Sequence, residues 1–289
     1  MKHLNNKLCY RWEAIQKIQQ GDFPYPKSVT VYPSQTCNLN CKWCCSIEKR
    51  GTSLFIDLEL FYKMCREWKS IGVKAIAFEG GGEPCLHPKF DDMVTYAHRL
   101  GFKIGVITNG TIWKNSFALC TWVRVGVNAL NKEDYEKFTG VDLYDKVIRT
   151  VCKLKKSNAK IGLKFLSSKW LDYKGIDYLN FCKRLEVSFY QVKELRNHNR
   201  TGLKNKVKKQ CGLTPLRAVV NYDGMYHVCP FFAHHPNTHI GSESLISIWN
   251  TLKHKEAIRN IKDENCSKYD CPMLEIDINK IKELEVEFI

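Results

Sequence analysis

The sequence predicts an α/β fold: a partial (β/α)6 barrel or open parallel sheet, followed by a small C-terminal unit with a β-hairpin and short helices. Three observations predict it. Six short apolar runs rich in β-formers recur between residues 28 and 192. Segments with apolar residues at helical spacing separate them. After about residue 195 this alternation stops and a turn-centred pattern replaces it. Strand–helix alternation argues for a parallel sheet covered by its crossover helices. Six units are too few for a closed eight-stranded barrel, so ligands are expected beyond the C-terminal ends of the strands.

The elements follow in order. Residues 1–27 are an N-terminal extension in which Leu8, Trp12, Ile15 and Ile18 suggest one amphipathic helix, expected to cover the barrel. Residues 28–195 hold the strand-like runs SVTVY (28–32), AIAFE (75–79), KIGVIT (103–108), VRVGV (123–127), KIGLKFL (160–166) and VSFYQV (187–192). Helical patterns occupy 57–71, with Asp57 as candidate N-cap, then 89–100, 144–154 and 172–185. Residues 196–210 form a basic linker. Residues 211–289 form the C-terminal domain, where LRAVVNYDGMYHVCP (216–230) reads as two strands joined at Asp223-Gly224.

Composition narrows the function classes. The 289 residues are 44% hydrophobic and 26% charged, ordinary for a globular chain. The first residues contain no apolar signal-peptide core, and no run approaches the ~18 apolar residues of a membrane span. A cytoplasmic, membrane-free location is expected, where stable disulfides are rare. The net charge of +15 attracts polyanions or acidic ligands at long range, although most Lys-rich loops are simply solvated. Residues 193–209 stand out, with seven Lys or Arg and one acid.

Cysteine placement raises the chemical question. Four of 14 cysteines lie in CNLNCKWCC (37–45), directly after the first strand. A reducing compartment weakens the disulfide reading. Zinc usually takes two ligand pairs. Here Cys37, Cys41 and Cys44 form a three-thiol set with no evident fourth, because adjacent Cys44 and Cys45 side chains diverge. Three thiolates suit a metal centre left open on one side, and spacing alone ranks an iron–sulfur cluster modestly above zinc. At the end of the second strand stands Glu79-Gly80-Gly81-Gly82-Glu83-Pro84, whose plainest reading is a flexible turn.

Together, C-x3-C-x2-C after the first strand, Trp43 before the third cysteine, GGE-P after the second strand and Ile107-Thr108-Asn109-Gly110 after the third resemble the radical S-adenosylmethionine (SAM) superfamily across most of residues 28–195. The resemblance implies a [4Fe–4S] cluster on Cys37, Cys41 and Cys44, with SAM chelating the open iron. It also implies reductive cleavage of SAM to a 5′-deoxyadenosyl radical that abstracts a substrate hydrogen atom. Gly81, Gly82 and Glu83 would border the SAM methionine, with Glu83 neutralising its ammonium. Trp43 would lie by the adenine, and Thr108, Asn109 and Asn128 would line the cofactor. Many relatives carry Ser and Asp on the fourth strand, where this chain has Gly126 and Asn128, so its ribose contacts depart from the pattern. Cys9, Cys45, Cys65, Cys85, Cys120, Cys152 and Cys182 read as apolar fillers.

A second set follows. Cys211, twelve residues, Gly224, four residues and Cys229 open the domain, and Cys266 and Cys271 close it. Zinc would suit four cysteines around a hairpin. Beside a radical SAM domain, the stretch resembles the SPASM and twitch auxiliary-cluster domains, and four cysteines imply one further [4Fe–4S] cluster. The resemblance further implies an electron donor such as flavodoxin or ferredoxin. The expected substrate is a peptide or protein side chain. The alternatives are a small, anionic sugar- or nucleotide-like molecule, or a zinc-dependent nucleic-acid-binding module without catalysis. No catalytic acid or base is assigned; His227, His234, His235, His239, Glu194 and Arg196 lie near the relevant elements.

Overall fold

A computed structural model describes residues 12–41, 43, 44, 46, 53–167, 171, 173–194, 216–230 and 238–260. The chain divides into two compact units, one comprising Ser28–Arg196 with Val220–Gly224 and the other Met1–Lys27, Asn197–Val219 and Met225–Ile289.

The first unit is a six-stranded parallel sheet. Its strands are β1 (Ser28–Val31), β2 (Ala75–Phe78), β3 (Lys103–Thr108), β4 (Trp122–Asn128), β5 (Lys160–Ser167) and β6 (Phe189–Glu194). They pair in chain order, β1 to β6, and β1 and β6 do not pair to close a barrel. Register sets one row across five strands: Val31, Phe78, Val106, Val123 and Ile161 stand opposite one another in turn. All five are buried, beneath the helices Leu58–Ser70 (α2), Phe90–Arg99 (α3) and Tyr144–Leu154 (α5) that flank this face. Phe78 meets Phe61 of α2 at 5.7 Å and Phe90 of α3 at 5.4 Å between ring centroids. Phe165 of β5 packs in the same way on Tyr178 and Phe181 of α6 (Gly175–Arg184).

Each helix expected from periodicity is present, and Asp57 caps α2 by accepting from the Leu60 N–H at 2.8 Å. One helix was missed, Lys132–Thr139 (α4). Its sequence, KEDYEKFT, carries only Tyr135 and Phe138 as large apolar side chains, too few for a periodic signal. Caps define it instead. The Asn131 side chain accepts from the Asp134 N–H, and Gly140 ends the helix at φ +72°, where glycine is favoured.

In the second unit, α1 (Trp12–Gln19) precedes a segment that docks on the C-terminal chain. Trp249 Nε1 donates to the carbonyls of Phe23 and Pro24, and the Asn250 side chain bonds both Asp22 and the Phe23 N–H. The described contacts of residues 22–24 thus join the two ends of this unit. The anticipated hairpin strands appear as β7 (Ala218–Val220) and β8 (Tyr226–His227), with Gly224 in the turn at φ +81°. Next come β9 (His239–Gly241), antiparallel to β8, and the helices α7 (Leu245–Ile248) and α8 (Leu252–Asn260). No helix among the described residues is long and apolar enough to cross a membrane. Cys65, Cys85, Cys120 and Cys182 are buried fillers as expected, but Cys152 is exposed.

His254 sits at the seam between the two ends of this unit. It is fully buried, its ring 4.0 Å from Trp249 and 5.5 Å from Phe23, and its Nδ1 accepts from the Asn250 N–H. Burial, with Lys255 nearby, pushes its pKa down to about 4. The folded state therefore holds the neutral imidazole. Its contribution is complete above the ordinary histidine pKa and is lost as pH falls from there towards 4, by about 3 kcal/mol at ~1.4 kcal/mol per unit. The melting temperature of wild type should fall more steeply between pH 6.5 and 4 than that of His254→Gln. Parallel curves would show that the seam does not depend on this titration.

Candidate cofactor site

The cysteine loop begins where β1 ends, and the chain fixes it from several sides. Residues 34–36 extend the β1 track. Gly82 N–H donates to Ser34 C=O at 3.0 Å and Glu83 N–H to Thr36 C=O at 2.8 Å, carrying the ladder past the end of β2. On the other side, Gln35 N–H bonds Leu54 C=O at 2.9 Å and Ile56 N–H bonds Pro33 C=O at 3.0 Å. This closeness explains two of the three glycines. A Cβ on Gly82 would lie 2.2 Å from Thr36 O, and one on Gly81 would lie 2.1 Å from Gln35 Oε1. Gly81 and Gly82, expected from sequence to border the cofactor, are also required by the close approach of the cysteine loop.

Within the loop, Asn38 links the cysteines to the end of β3. Its Oδ1 accepts from Asn109 Nδ2 at 2.9 Å and its Nδ2 donates to Thr111 Oγ1 at 2.8 Å. Thr111 Oγ1 in turn donates to Asn109 Oδ1 at 2.7 Å, closing a triangle. Asn40 N–H donates to Thr139 C=O, the end of α4, at 2.8 Å. Asn38 and Asn40 were not singled out from sequence; their place inside the cysteine spacer was the available signal.

Glu83 lies under this assembly and is 3% exposed. Its Oε1 accepts from Thr108 Oγ1 at 2.6 Å and from Cys85 N–H at 3.1 Å, and its Oε2 accepts from Asn109 N–H at 2.7 Å. Burial raises its pKa, while these three donors oppose the rise by favouring the carboxylate. Glu83, which the sequence places beside the SAM methionine, also clamps the ends of β2 and β3 together. Thr108 is buried in that clamp, and Asn109 belongs to it and to the Asn38 triangle.

Cys37, Cys41 and Cys44 are partly exposed, and Trp43 in the same loop is half-buried. Among the described residues, no three His, Cys, Asp or Glu side chains converge as they would around a single ion. A cubane does not demand such convergence, because each thiolate binds its own iron. Three partly exposed cysteines on one anchored loop fit that donor set. Both amide atoms of Gln35 are buried without a hydrogen-bond partner, beside Gly81 and two residues before Cys37. An unpaired amide there fits a polar ligand resting on the glycine loop. Asn128, at a register shift ending β4, adopts φ +65°, with its amide close to the open Cα of Gly126. Left-handed Asn is tolerated, and strain of this kind concentrates at functional sites.

Tyr135 of α4 was also missed. It is fully buried, and the thiols of Cys41 and Cys37 lie within its electrostatic reach. In the second cysteine set only Cys229 is described, half-buried, while Cys211, Cys266 and Cys271 lie outside the described residues. Of the histidines, His227 is buried and His239 half-buried, with rings 6.4 Å apart. His234, His235, Arg196, the Glu194 side chain and the basic run from 195 onward also lie outside the described residues.

Glu83→Ala should leave three buried donors unmatched, a cost on the order of 3 kcal/mol. The variant should show a lower melting temperature and poorer cluster incorporation together, with Glu83→Gln intermediate. Unchanged melting with full iron and weakened SAM binding would instead assign the carboxylate to the cofactor.

Comparison with known proteins agrees with this geometry. Residues 31–166 match the Radical SAM superfamily. Among curated proteins, a probable GTP 3',8-cyclase of Saccharolobus islandicus is 26% identical over 136 residues, 45% of this chain and 42% of that protein. A tungsten-containing aldehyde ferredoxin oxidoreductase cofactor-modifying protein of Pyrococcus furiosus is 38% identical over 77 residues, 26% of this chain and 22% of that protein. These alignments span less than half of each relative. Among solved structures, Streptococcus suis SuiB bound to precursor peptide SuiA superposes with a TM-score of 0.71 at 16% identity, covering 96% of this chain and 78% of SuiB. The anSMEcpe structure with bound AdoMet gives a TM-score of 0.66 at 18% identity, covering 86% and 87%. Residues 31–166 therefore match a radical SAM domain, in a chain whose fold is shared with SuiB and anSMEcpe.

Proposed function

We propose that the chain modifies a peptide or protein side chain by radical SAM chemistry, with Cys37, Cys41 and Cys44 as ligands of the SAM-binding [4Fe–4S] cluster. The observation that carries this reading is the anchoring of the segment that bears the three cysteines: residues 34–40 are tied to Gly82, Glu83, Asn109 and Thr139 by hydrogen bonds that need no ligand. When bound, cluster and SAM supply one-electron cleavage of SAM and a 5′-deoxyadenosyl radical that takes a hydrogen atom from the substrate. The protein's own task is placement. The Gly80–Gly82 backbone and the Gln35 amide offer polar groups to the methionine end of SAM, Trp43 an aromatic face to its adenine, and Asn128 an amide at the end of β4. Thr108, Asn109 and Glu83 hold this frame rigid.

A peptide substrate is favoured over a nucleotide by the extent of the likeness. The fold shared with SuiB, captured with its precursor peptide, runs over 96% of this chain, whereas the GTP 3',8-cyclase match covers 45%. AdoMet and a peptide are also bound together in an anSMEcpe structure with a TM-score of 0.64. In this reading Cys211, Cys229, Cys266 and Cys271 hold a second [4Fe–4S] cluster that accepts or relays an electron, and a flavodoxin- or ferredoxin-type donor reduces the enzyme.

Anaerobic reconstitution should give a brown protein with about 8 Fe per chain, two cysteine-ligated cubanes. Changing Cys37, Cys41 and Cys44 together to Ala should remove about half of that iron and abolish SAM cleavage. Changing Cys211 and Cys229 should remove the other half and leave SAM cleavage. A wild-type protein containing zinc and no iron would overturn the reading.

A further inference from the structure

We propose that the buried hydroxyl of Tyr135 donates a hydrogen bond to the Cys41 thiolate once that residue ligates iron, and that this bond raises the reduction potential of the SAM-binding cluster. The proposal rests on the radical SAM reading and assigns Tyr135 a tuning role in that site.

Helix α4 carries Tyr135 to the cysteine loop. The Thr139 carbonyl, at the end of the helix, accepts from the N–H of Asn40, the residue before Cys41, at 2.8 Å. The next residue is as close: a Cβ on Gly140 would lie 3.0 Å from Asn40 O. Tyr135 precedes Thr139 by one turn, so the two share a helix face. Both are fully buried. The last turn of α4 thus lies against the loop, and the thiols of Cys41 and Cys37 act electrostatically on the Tyr135 hydroxyl. Cys41 is the better partner, because its thiol acts the more strongly and it follows the anchored Asn40.

The hydroxyl itself is unmatched. Among the described residues, Tyr135 Oη is buried with no hydrogen-bond partner. The Thr139 hydroxyl stands near it without meeting hydrogen-bond geometry, and gives its own proton to the carbonyls of Tyr135 and Val141 at 2.8 and 3.1 Å. Tyr144, its ring centroid 5.7 Å from that of Tyr135, donates its hydroxyl proton to the Leu130 carbonyl at 2.9 Å. A buried phenol without a partner is costly, and phenylalanine would fill the same space without that cost. Burial raises the Tyr135 pKa, and the Cys41 and Cys37 thiols and Glu83 raise it further, so the phenol keeps its proton and is available as a donor. Ligation creates an acceptor beside it: iron binding removes the Cys41 proton and leaves a negatively charged sulfur. A donor on a ligand sulfur favours the reduced, more negative cluster, and so raises its potential.

The test is a redox titration of the anaerobically reconstituted protein, followed by the EPR signal of the reduced cubane with and without SAM. The cluster whose signal SAM alters is the one measured. Tyr135→Phe should lower its midpoint potential, with the reduced-to-oxidised ratio at a fixed potential falling about tenfold, or ~59 mV for one electron. Its iron content should match wild type. Tyr144→Phe is the control: it loses the bond to Leu130, should melt at or below wild type, and should leave the potential in place. A ring-fluorinated tyrosine at position 135 is a stronger donor of nearly the same shape. It should raise the potential, and it carries the comparison if Tyr135→Phe does not fold. Equal potentials in wild type and Tyr135→Phe would overturn the proposal. So would an equal fall in Tyr144→Phe, which would assign the effect to packing. A wild-type chain that takes up no iron would defeat the radical SAM reading itself, whereas an iron-loaded Tyr135→Phe with unchanged potential defeats this proposal alone.

Discussion

The cofactor site depends on one buried carboxylate. Strand ends in an open parallel sheet leave backbone donors without sheet partners, and buried unmatched donors are expensive. Glu83 satisfies two of them, the Cys85 and Asn109 N–H groups, and takes the Thr108 hydroxyl as well, with two oxygens. The backbone around it does the rest: N–H groups of Gly82 and Glu83 hold residues 34–36, and Asn109 reaches Asn38. The loop bearing three thiols is therefore positioned by hydrogen bonds that involve no thiol. A loop ordered only by its metal would place the ordering cost on cofactor binding. Here much of that cost is met by the fold.

The strands, the flanking helices and the Asp57 cap were legible because period-2 and period-3.6 patterns report directly on burial. Lys132–Thr139 was not, since two apolar residues in eight carry no period, and its caps matter more than its face. The cysteines, GGE and TNG segments were legible as chemistry but not as mechanics. Spacing pointed to the thiols, yet nothing local in the sequence says that Gly81 makes room for Gln35 or that Glu83 turns towards Thr108. Those are contacts between residues 25 to 71 positions apart or across loops, where sequence pattern is silent. Arg124 was within reach: a lone charge between Val123 and Val125 must point away from the helices, and Lys164 between Leu163 and Phe165 repeats the argument.

The two halves of the sheet treat polarity differently. Around β1 to β3, polar side chains bond chiefly to one another: Glu83 to Thr108, Asn109 to Asn38 and Thr111. Around β4 to β6, the side away from the flanking helices carries Arg124 and Lys164 between buried neighbours. Trp122 lies over Gly105 of the adjoining β3 and Phe189 over Gly162, whereas a Cβ on Gly126 would make only ordinary contact with Thr108 O and the Asn128 amide. The first half is a closed hydrogen-bonded frame and the second an apolar floor beneath a charged layer.

That division has a physical consequence for how such a site changes. A closed network is cooperative, so removing one member strands its partners and costs more than a single bond. Substitutions around Glu83 and Asn38 therefore act on the frame before they act on chemistry. On β4 to β6 the charged side chains project from alternating positions whose neighbours already form the buried helix-facing layer. Exchanging Arg124, Lys164 or Gln191 alters the polar side of these strands while the Val123, Val125, Leu163 and Phe165 packing stays in place. The hydrogen-bonded frame at β1 to β3 and the charged face of β4 and β5 can thus vary independently, because strand alternation puts the second on the opposite side of the sheet from the core that holds it.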